Sequence, residues 1–411
     1  MIPKFDDYKL RWHLPSDDVI KPGLERILQA LHQLGQPQKA LQVMHFAGTN
    51  GKGSTLTFVE QIAREHGLTV GKFMSPCIVD VHDQIQINDQ PITEVQMDKV
   101  FQQMAAAQLH NLLTDFELLT CAALLHFHNE QVDVVLLEAG MGGREDSTNV
   151  IMPIVSVIPS IALEHTNFLG TTLAQIASHK AGIIKHSKPT VVGRLPQEAY
   201  EVVKAEAELQ NAPLFTLGEA FEVEGTTYRH LERQIEISHL ERRLLGMHQG
   251  DNMAVAITAF LEMASTLSVM IDIAAIQRGI YTAQVPGRFE QVLPHVYLDG
   301  AHNPASIAAL VQTIQQQFPD ERVEIIMGML ADKDVAKAIQ LLEPVASNFI
   351  FVDFTNPRAM RAEQMLEMPS TVNGTIMTLQ EVANYLKQDN STKVVTGSLY
   401  LLSELRNVCS L

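Results

Sequence analysis

The feature that most constrains this chain is the glycine-rich segment 47–54, whose residues are Ala-Gly-Thr-Asn-Gly-Lys-Gly-Ser. The segment before it, Val43–Phe46, is short, apolar and typical of a buried strand. The segment after it, Thr55–Glu65, places apolar side chains on one helical face. In a turn from strand to helix, glycines let the backbone approach an anion, and the helix N-terminus supplies free N–H groups and a partial positive charge. The segment, called the phosphate loop below, therefore predicts phosphate binding.

Two side chains of the phosphate loop strengthen this prediction. Lys52 would add a full positive charge, and Ser54 could offer its hydroxyl to a magnesium ion. The pattern differs from the standard P-loop because Gly53 separates the lysine from the hydroxyl residue. The simpler alternative is a tight glycine turn with a surface lysine. Three glycines between a buried strand and an amphipathic helix favour phosphate binding over that alternative.

Length and composition narrow the function classes. A chain of 411 residues is too long for one ordinary core, so two domains are expected. The formal charge of −17 argues against a nucleic-acid-binding protein, although a local basic pocket could still bind an anionic substrate. The three cysteines, Cys77, Cys121 and Cys409, have neither paired spacing nor a metal-binding pattern, which predicts a reducing cytoplasm. No signal peptide is recognised at the start, and no apolar run of about 20 residues predicts a membrane span.

Polar residues follow three predicted strands. Glu138 ends a fully apolar run that is typical of a central parallel strand, and ligands of open parallel sheets collect at that edge. Ser75 could give an oxygen to magnesium, although Ser-Pro alone signals only a turn, and His165 could be a ligand or a structural histidine. The strands concerned are Thr69–Met74, Val134–Leu137 and Ile154–Ile161.

The remaining pattern predicts the domain organisation. Helices are expected over 17–35 and, in two pieces, over 94–130, and short antiparallel strands are expected within 213–245. Pro286-Gly287 marks a break, after which strands and helices alternate again. The fold class is therefore α/β. A P-loop-containing N-terminal domain with a mostly parallel sheet (1–285) precedes a smaller doubly wound, Rossmann-like C-terminal domain (286–411). The predicted strands of the second domain are Val296–Leu298, Val323–Met327, Phe349–Val352 and Lys393–Thr396.

The loop Gly-Thr-Asn-Gly-Lys-Gly-Ser resembles the nucleotide loop of the folylpolyglutamate synthase and dihydrofolate synthase family, which is related to the Mur ligases. Further motifs of that family match in order along the chain. They are Ser-Pro at 75–76, Gly-Gly-Arg-x-Asp-x-Thr-Asn at 142–149, Lys-Ala-Gly-Ile at 180–183, His-Gln-x-x-Asn at 248–252, Asp-Gly-Ala-His-Asn-Pro at 299–304 and Pro-Arg-Ala at 357–359.

The resemblance implies roles for individual residues. ATP is expected on Gly48, Thr49, Asn50, Gly51, Lys52, Gly53, Ser54, Asn252, Arg288 and Asp299. The acceptor and glutamate are expected near Phe116, Glu117, Asp146 and His302, although on pattern alone Glu117 is equally a helix-capping acid. Magnesium, as two ions, is expected on Ser75, Glu138 and His165. The catalytic residues are expected to be Lys52, His165, Lys180, Asp299 and His302.

Lys180 stands where the family carries a carbamylated lysine. A free ammonium beside two magnesium ions would repel them, whereas a carbamate would attract them. The alternative is that Lys180 acts as a plain cation toward a phosphate or glutamate, and the sequence leaves both open.

One segment departs from the family. Its Asn-Glu-Arg-Ile motif is replaced around Asp83-Gln84, which removes a fixed cation where an anionic substrate could be met. Glu164 replaces an aspartate beside His165. The nucleotide residues are unchanged, so the departure bears on the identity of the acceptor.

The resemblance implies an ATP-dependent ligase that joins L-glutamate to a folate through an acyl phosphate. The first alternative is glutamate addition to dihydropteroate, alone or in a bifunctional enzyme. Others are a paralogue with a changed acceptor or without activity on folates, and a P-loop ATPase switch without an amine acceptor. We expect a monomeric cytoplasmic enzyme that uses ATP and magnesium, with no nucleic-acid or membrane partner.

Overall fold

The structure is a computed structural model that describes residues 2–77, 79–109, 113–388 and 391–409. It contains two compact units. The first is formed by Met1–Arg242 together with Gly250–Ala283, and the second by Arg243–Gln249 together with Gln284–Leu411.

Helices and strands alternate through most of the part of the chain before residue 284. Two 3₁₀ turns lie at Pro37–Ala40 and Val81–Gln84. The helices are Phe5–Trp12 (α1), Glu25–Gln33 (α2), Lys52–Glu65 (α3), Glu94–Ala106 (α4), Asp115–Asn129 (α5), Thr166–Leu169 (α6), Leu173–Ala181 (α7), Gln197–Leu209 (α8), Met247–Leu267 (α9) and Ile273–Thr282 (α10). The strands are Ser16–Asp17 (β1), Val43–Phe46 (β2), Val70–Phe73 (β3), Ile85–Ile87 (β4), Gln90–Pro91 (β5), Leu113–Thr114 (β6), Val134–Glu138 (β7), Val155–Ile158 (β8), Thr190–Val192 (β9), Leu214–Thr216 (β10), Phe221–Glu224 (β11), Thr227–His230 (β12) and Ile235–Ile237 (β13).

Within the described residues, eight strands of the first unit form one sheet in the order β10-β9-β8-β2-β7-β3-β4-β5. Pairing is parallel from β10 to β3, and β4 and β5 add an antiparallel edge. Strands β2 and β7 lie centrally and are buried along their whole length, as parallel strands covered on both faces require. The chain moves from β2 to β3 in one direction and from β7 to β8 in the other, so the sheet changes winding direction beside β2.

Helix starts in this unit are set by local side-chain caps. The capping boxes of α4, α5 and α7 pair a threonine with a Gln or Glu three residues later, and each satisfies helix N–H groups that lack an intrahelical partner. Helix α3 instead begins after Gly51, without a side-chain cap. Its first turn therefore leaves backbone N–H groups at the phosphate loop.

Helices pack on the sheet through apolar faces. A core of Val43, Phe73, Val135 and Leu137 meets α4 and α5, and Ala47, Ala139 and Ile158 meet the helices α7 and α8. Helices α3 and α10 lie so close together that a Cβ on Gly279 would come within 2.7 Å of the backbone of Ile62. Strands β11, β12 and β13 form the small antiparallel sheet expected within 213–245.

The second unit has a smaller sheet of the same kind. Its described strands pair in the order β14-β15-β19-β16-β17-β18, parallel except for the edge pair β14·β15. The strands are Glu290–Leu293 (β14), Val296–Leu298 (β15), Val323–Met327 (β16), Ala346–Val352 (β17), Gly374–Met377 (β18) and Lys393–Thr396 (β19). The helices are Pro304–Gln317 (α11), Val335–Leu342 (α12), Ala362–Leu366 (α13), Leu379–Tyr385 (α14) and Leu399–Cys409 (α15).

The α/β fold class is confirmed, and so are the strands after residue 290 in type and order. The predicted helix over 17–35 is wrong in its first half, where the chain forms β1 and an irregular segment before α2 begins at Glu25. Ile20 and Leu24 fit a helical spacing, but Pro22 and Gly23 interrupt it, and Gly23 has a φ of 113°. In the described part of the chain, no helix combines the length and apolar character needed to cross a bilayer.

Candidate functional site

The candidate residues of the first unit collect at the carboxyl edge of its sheet. Phe46, the last residue of β2, is in register with Glu138 on β7 and with Val157 on β8. The phosphate loop therefore leaves the sheet directly beside Glu138. Strand β3 lies on the far side of β7, with Phe73 in register with Leu137. Ser75, which follows β3, and Glu138 thus stand at the ends of neighbouring strands.

The phosphate loop is anchored to the segment that follows β8. The Thr49 N–H donates to the Ser160 carbonyl at 2.9 Å, and the Asn50 N–H donates to Ser160 Oγ at 2.9 Å. The Ser160 hydroxyl donates in turn to the Asn50 carbonyl at 2.8 Å. Thr49 Oγ1 accepts from the Ala162 N–H and donates to the Ala162 carbonyl. These bonds fix the backbone of the loop against segment 160–162, so its conformation is preorganised.

Gly51 is the position where the loop requires glycine. Its φ is 83°, in the left-handed region, and a Cβ there would lie 2.4 Å from Asn252 Oδ1. The resemblance assigned Asn252 to ATP binding, and the structure places its buried side chain against Gly51 of the phosphate loop. Ser54 is buried in the first turn of α3.

Two lysines converge on one carbonyl of the loop. Lys52 Nζ donates to the Gly48 carbonyl at 3.0 Å, and Lys180 Nζ donates to the same oxygen at 2.7 Å. Lys52 Nζ also lies 3.7 Å from Glu138 Oε1. The Lys52 ammonium beside the N-terminus of α3, with Lys180 adding a charge when it is protonated, creates a positive field that is suited to a polyphosphate.

Lys180 is only 2% exposed. Burial and the neighbouring Lys52 ammonium lower the pKa of Lys180 to about 7, while Glu164 and Asp146 oppose the shift. A neutral amine is therefore available near neutral pH. That form is the one that reacts with carbon dioxide.

The segment 139–149 carries Asp146 and links Glu138 to α7. Asp146 Oδ2 accepts from the Met141 N–H at 2.8 Å, and Oδ1 accepts from the N–H and the hydroxyl of Thr148. The Arg144 N–H donates to the His179 carbonyl at 2.7 Å, and the Asn149 amide donates to the Gly182 carbonyl. Burial raises the pKa of Asp146, and these hydrogen bonds oppose the rise.

The predicted magnesium residues differ in their surroundings. Glu138 is 5% exposed, Ser75 is half-buried, and His165 is exposed at the start of α6. The described residues contain no group of three or more His, Cys, Asp or Glu side chains that could hold a metal by themselves. Magnesium commonly uses one or two carboxylates together with substrate phosphates and water, so Glu138, Ser75 and a bound nucleotide fit as a donor set.

Phe116 and Glu117 begin α5. The Phe116 ring packs on Phe73, with centroids 5.7 Å apart, and a Cβ on Gly140 would lie 2.8 Å from the Phe116 ring. Phe116 is thus beside the turn that follows Glu138. The Glu117 carboxylate completes the capping box with Thr114 and pairs with Arg26 at 2.9 Å. The capping role is present, and a substrate contact for Glu117 stays a prediction.

The segment that departs from the family lies beside β3. The Gln84 side chain is buried and donates to the Met74 carbonyl at 3.3 Å, one residue before Ser75. Asp83 accepts from the Val79 N–H, and His82 connects Tyr8 to Asp80 through hydrogen bonds of 2.7 Å at each ring nitrogen. Ile78, which belongs to this segment, lies outside the described residues.

In the second unit, Asp299 and His302 follow β15. Asp299 Oδ2 accepts from the Phe289 N–H at 2.8 Å, and Oδ1 accepts from the Ala301 N–H at 2.9 Å. Burial raises the pKa of Asp299, and the Arg288 guanidinium opposes the rise. His302 Nδ1 contacts the Gly300 carbonyl at 2.8 Å. Arg288 lies beside Gly300, where a Cβ would come within 2.6 Å of the guanidinium.

Sequence reasoning missed Ser160, His45 and Thr148. Ser160 makes two hydrogen bonds with Asn50, and His45 Nε2 lies 2.8 Å from Thr148 Oγ1. Ser160 lies just past β8 at the same sheet edge, but the predicted strand Ile154–Ile161 ran past it, so its position there was not recognised. His45 lies inside an apolar strand, and nothing local indicates its partner 103 residues away.

Comparisons with known proteins identify relatives over nearly the whole chain. The profile of the Mur ligase middle domain matches residues 46–260, and that of the Mur ligase glutamate ligase domain matches residues 287–399. The dihydrofolate synthase/folylpolyglutamate synthase of Bacillus subtilis (strain 168) is 36% identical over 409 residues, covering 94% of this chain and 95% of that protein.

Solved structures give the same picture. E. coli FolC in complex with DHPP and ADP superposes with a TM-score of 0.90 and 29% identity, covering 99% of this chain and 97% of that one. An FPGS–AMPPCP–folate complex superposes with a TM-score of 0.84 and 32% identity, covering 98% of each chain.

Proposed function

This chain belongs to the folylpolyglutamate synthase/dihydrofolate synthase family of the Mur ligases, and we propose that it is an ATP-dependent ligase that joins L-glutamate to a folate. The observation that carries the proposal is the convergence of Lys52 and Lys180 on the Gly48 carbonyl, beside Glu138. This arrangement builds an anion site at the carboxyl edge of the first sheet. Relatives of the same length bind ADP, AMPPCP and folate.

The reaction proposed has two steps. A carboxylate of the acceptor attacks the γ-phosphate of ATP, which forms an acyl phosphate and releases ADP. The amine of glutamate then attacks the acyl carbon and expels phosphate. Both the attacking oxygen and the phosphate are anionic, so the protein must mainly neutralise charge and position the reactants.

The first unit supplies most of that neutralisation. In this proposal, Lys52 and the N–H groups at the start of α3 contact the phosphates. The Asn252 side chain packs against Gly51 in the same loop. Glu138, Ser75 and His165 are proposed to hold magnesium, as two ions. When bound, magnesium would screen the phosphate charge and orient the triphosphate.

Lys180 is proposed to carry a carbamate in the active enzyme. Its pKa of about 7 supports this, because an unprotonated amine is needed to add carbon dioxide. A carbamate would replace one positive charge by a negative charge and so favour magnesium near Glu138. In the alternative, Lys180 acts as a plain cation toward a phosphate or glutamate.

The second unit is proposed to serve the nucleotide and glutamate. Asp299 offers carboxylate oxygens already oriented by two backbone N–H groups, and His302 follows on the same segment. Arg288 is proposed to meet the phosphates. The proposed domains are residues 1–285 for ATP and folate and residues 286–411 for glutamate ligation.

The test is ADP release by the purified protein with ATP and magnesium, assayed against a panel of folates and amino acids. We expect turnover only when a folate and L-glutamate are both present, and mass spectrometry should show one added glutamate per turnover. ADP release that is independent of glutamate would instead favour an ATPase, and turnover with a non-folate acceptor would indicate a changed substrate.

Dihydropteroate is the second candidate acceptor. The B. subtilis relative carries both activities in its name, and the E. coli structure holds DHPP. Gln84 in place of the family's arginine lies beside β3 and bears on this choice. Comparison of kcat/KM for dihydropteroate and for a reduced folate separates a dihydrofolate synthase, a folylpolyglutamate synthase and a bifunctional enzyme.

We also propose that the enzyme acts as a monomer in the cytoplasm. The three cysteines are free thiols, which supports a reducing compartment. Sedimentation at working concentration tests the monomer.

A further inference from the structure

A buried chain of polar side chains runs beneath the site of the first unit. His45 on β2 and Thr148 are fully buried, and Asp146 is 8% exposed. His45 Nε2 lies 2.8 Å from Thr148 Oγ1, which donates to Asp146 Oδ1 at 2.6 Å. None of the motif roles described above uses His45 or Thr148.

The direction of the hydrogen bonds sets the tautomer of His45. Thr148 has a single hydroxyl proton and gives it to the Asp146 carboxylate, so its oxygen must accept from His45 Nε2–H. Among the described residues, His45 Nδ1 has no hydrogen-bond partner and is buried. Burial and the nearby Lys185 ammonium lower the pKa of His45 to about 3, so the ring stays neutral.

His45, Thr148 and Asp146 are called the relay below. The relay connects the backbone segment that follows Glu138 to strand β2. At one end, Glu138 is in register with Phe46, and the Ala139 N–H donates to the Phe46 carbonyl at 2.8 Å. At the other end, Thr148 returns to β2 through His45. Between these ends, Asp146 binds the Met141 N–H. Both ends of segment 139–149 are therefore tied to the strand that continues into the phosphate loop.

We propose that His45 and Thr148 are positioning residues that fix segment 139–149 so that Glu138 is preset for magnesium and nucleotide. The inference rests on the proposed metal role of Glu138. A buried chain of hydrogen bonds resists rearrangement, because breaking one bond leaves its donor and its acceptor without partners in a low-dielectric environment. Groups that hydrogen-bond directly to a metal ligand commonly contribute about 10- to 100-fold in metal affinity. His45 and Thr148 act on Glu138 through the backbone of segment 139–149, so we expect an effect at the low end of that range.

The test separates positioning from simple stability. Binding of the ATP analogue AMPPCP is measured by calorimetry with and without magnesium, and the ratio of the two dissociation constants is the readout. Thr148→Val removes the hydroxyl without changing the shape of the side chain, and Thr148→Ser restores the hydroxyl. Thr258→Val is the matched control, because Thr258 is also fully buried and its hydroxyl also bonds inside the first unit, to Tyr228 and the Ala254 carbonyl.

We expect the magnesium enhancement to fall by about 10-fold in Thr148→Val, in line with the usual effect of such partners, and to be retained in Thr148→Ser and Thr258→Val. His45→Leu should match Thr148→Val, and His45→Gln, whose amide N–H can replace Nε2–H, should recover part of the enhancement. If a valine variant does not fold, the His45 pair gives the same comparison.

A spectroscopic measurement completes the test. In the wild-type protein labelled with ¹⁵N-histidine, and assigned by the His45 variants, His45 should show a protonated Nε2 and an unprotonated Nδ1 from pH 5 to pH 8. Loss of the Thr148 hydroxyl should shift the Nε2 resonance.

The inference is wrong if Thr148→Val keeps the magnesium enhancement of the wild type, or if Thr148→Ser loses as much of it as Thr148→Val. Either result would leave the proposed ligase function untouched. If magnesium does not enhance AMPPCP binding to the wild type, the metal role of Glu138 fails and the inference fails with it. Absence of glutamate-dependent ADP release by the wild type contradicts the proposed function separately.

Discussion

The two sheets of this protein hold different buried side chains at their carboxyl edges. In the first unit, the Gly48 carbonyl accepts hydrogen bonds from the amino groups of Lys52 and Lys180. In the second unit, two backbone N–H groups, those of Phe289 and Ala301, hold one carboxylate from Asp299. Two mostly parallel sheets with different strand orders therefore use opposite backbone groups, a carbonyl in the first and N–H groups in the second, to bind a buried side chain.

The electrostatic consequence is symmetrical. Burial lowers the pKa of Lys180 and raises the pKa of Asp299, so each edge pushes its charged group toward neutrality. The backbone partners offset that cost. Both side chains are buried, so hydrogen bonds to the backbone replace those that water would make. The units differ in the backbone group that makes these bonds, which is a carbonyl for Lys180 and two N–H groups for Asp299.

Among these substitutions, loss of the Lys52 charge should reduce the rate of ADP formation most. We expect Lys52→Ala to lower kcat for ADP formation by about 10³-fold, since preorganised charge is often the largest contribution to phosphoryl transfer. Steady-state kinetics with saturating folate and glutamate measure this kcat. Lys204→Ala is the control, because Lys204 is an exposed lysine on α8. Turnover near the wild-type value would remove the phosphate loop from the mechanism.

Lys180→Met should reduce kcat by about 10²-fold, because it removes the buried group that contacts the Gly48 carbonyl whether that group is an amine or a carbamate. Spectra recorded with ¹³C-bicarbonate should show a carbamate signal in the wild type that is absent from the variant. A variant with unchanged kcat contradicts a catalytic role, and a wild type without the signal contradicts carbamylation alone.

Asp299→Asn tests the second edge. The amide places an NH₂ group against a backbone N–H donor, so we expect about 1–3 kcal/mol of destabilisation and a loss of about 10-fold in kcat/KM. Urea unfolding and kinetics measure the two effects, and exposed Asp320→Asn serves as the control. Full activity in Asp299→Asn would mean that the carboxylate is not required at this edge.

Gly51→Ala should weaken ATP binding about 5- to 10-fold, because the added Cβ would lie 2.4 Å from Asn252 and Asn252 would have to move. Gly67→Ala is a close control: its φ of 82° matches the 83° of Gly51, but nothing lies within 4 Å of its Cβ. Titration with AMPPCP and thermal unfolding compare them. Equal effects in both variants would show that backbone strain, and not the contact with Asn252, accounts for the loss.

The pH dependence of stability should have opposite slopes at the two edges. With a native pKa of about 7 against an ordinary 10.5, Lys180 binds fewer protons in the folded state between these values, so its contribution to stability rises with pH there. Asp299, whose pKa is raised above 3.8, contributes stability that falls as pH rises through the raised value. Urea unfolding of the wild type against Lys180→Met and Asp299→Asn should show these slopes, and parallel curves would contradict the shifts.

Much of the fold could be predicted from local pattern. The strand, phosphate loop and helix were expected at 43–65 and occur there, because glycine content and apolar spacing act within a few residues. The segment 17–24 could not be predicted by spacing, since Pro22 and Gly23 outweighed the apolar positions. The segment 213–245 was recognised by its period of two, which matches the observed β11–β13 sheet.

The site was predictable only in part. Glu138 ends β7 and Ser75 follows β3, and both lie at the predicted edge because the ends of parallel strands share one edge. Ser160 follows β8 at the same edge, but it was overlooked because the predicted strand extended to Ile161. His45, in contrast, gave no local signal, since its role depends on a partner in the loop after a different strand.

The sequence alone determined the glycine-rich turn between β2 and α3, the α/β class, the two-domain expectation and the family resemblance, because each is encoded by neighbours along the chain. The tertiary structure alone decided that Lys180 reaches Gly48 across 132 residues and that His45 supports Asp146 through Thr148. The physical reason is that strand order sets these contacts. In a sheet ordered β8-β2-β7-β3, the loops after strands distant in sequence meet at one edge, and local pattern does not specify that order.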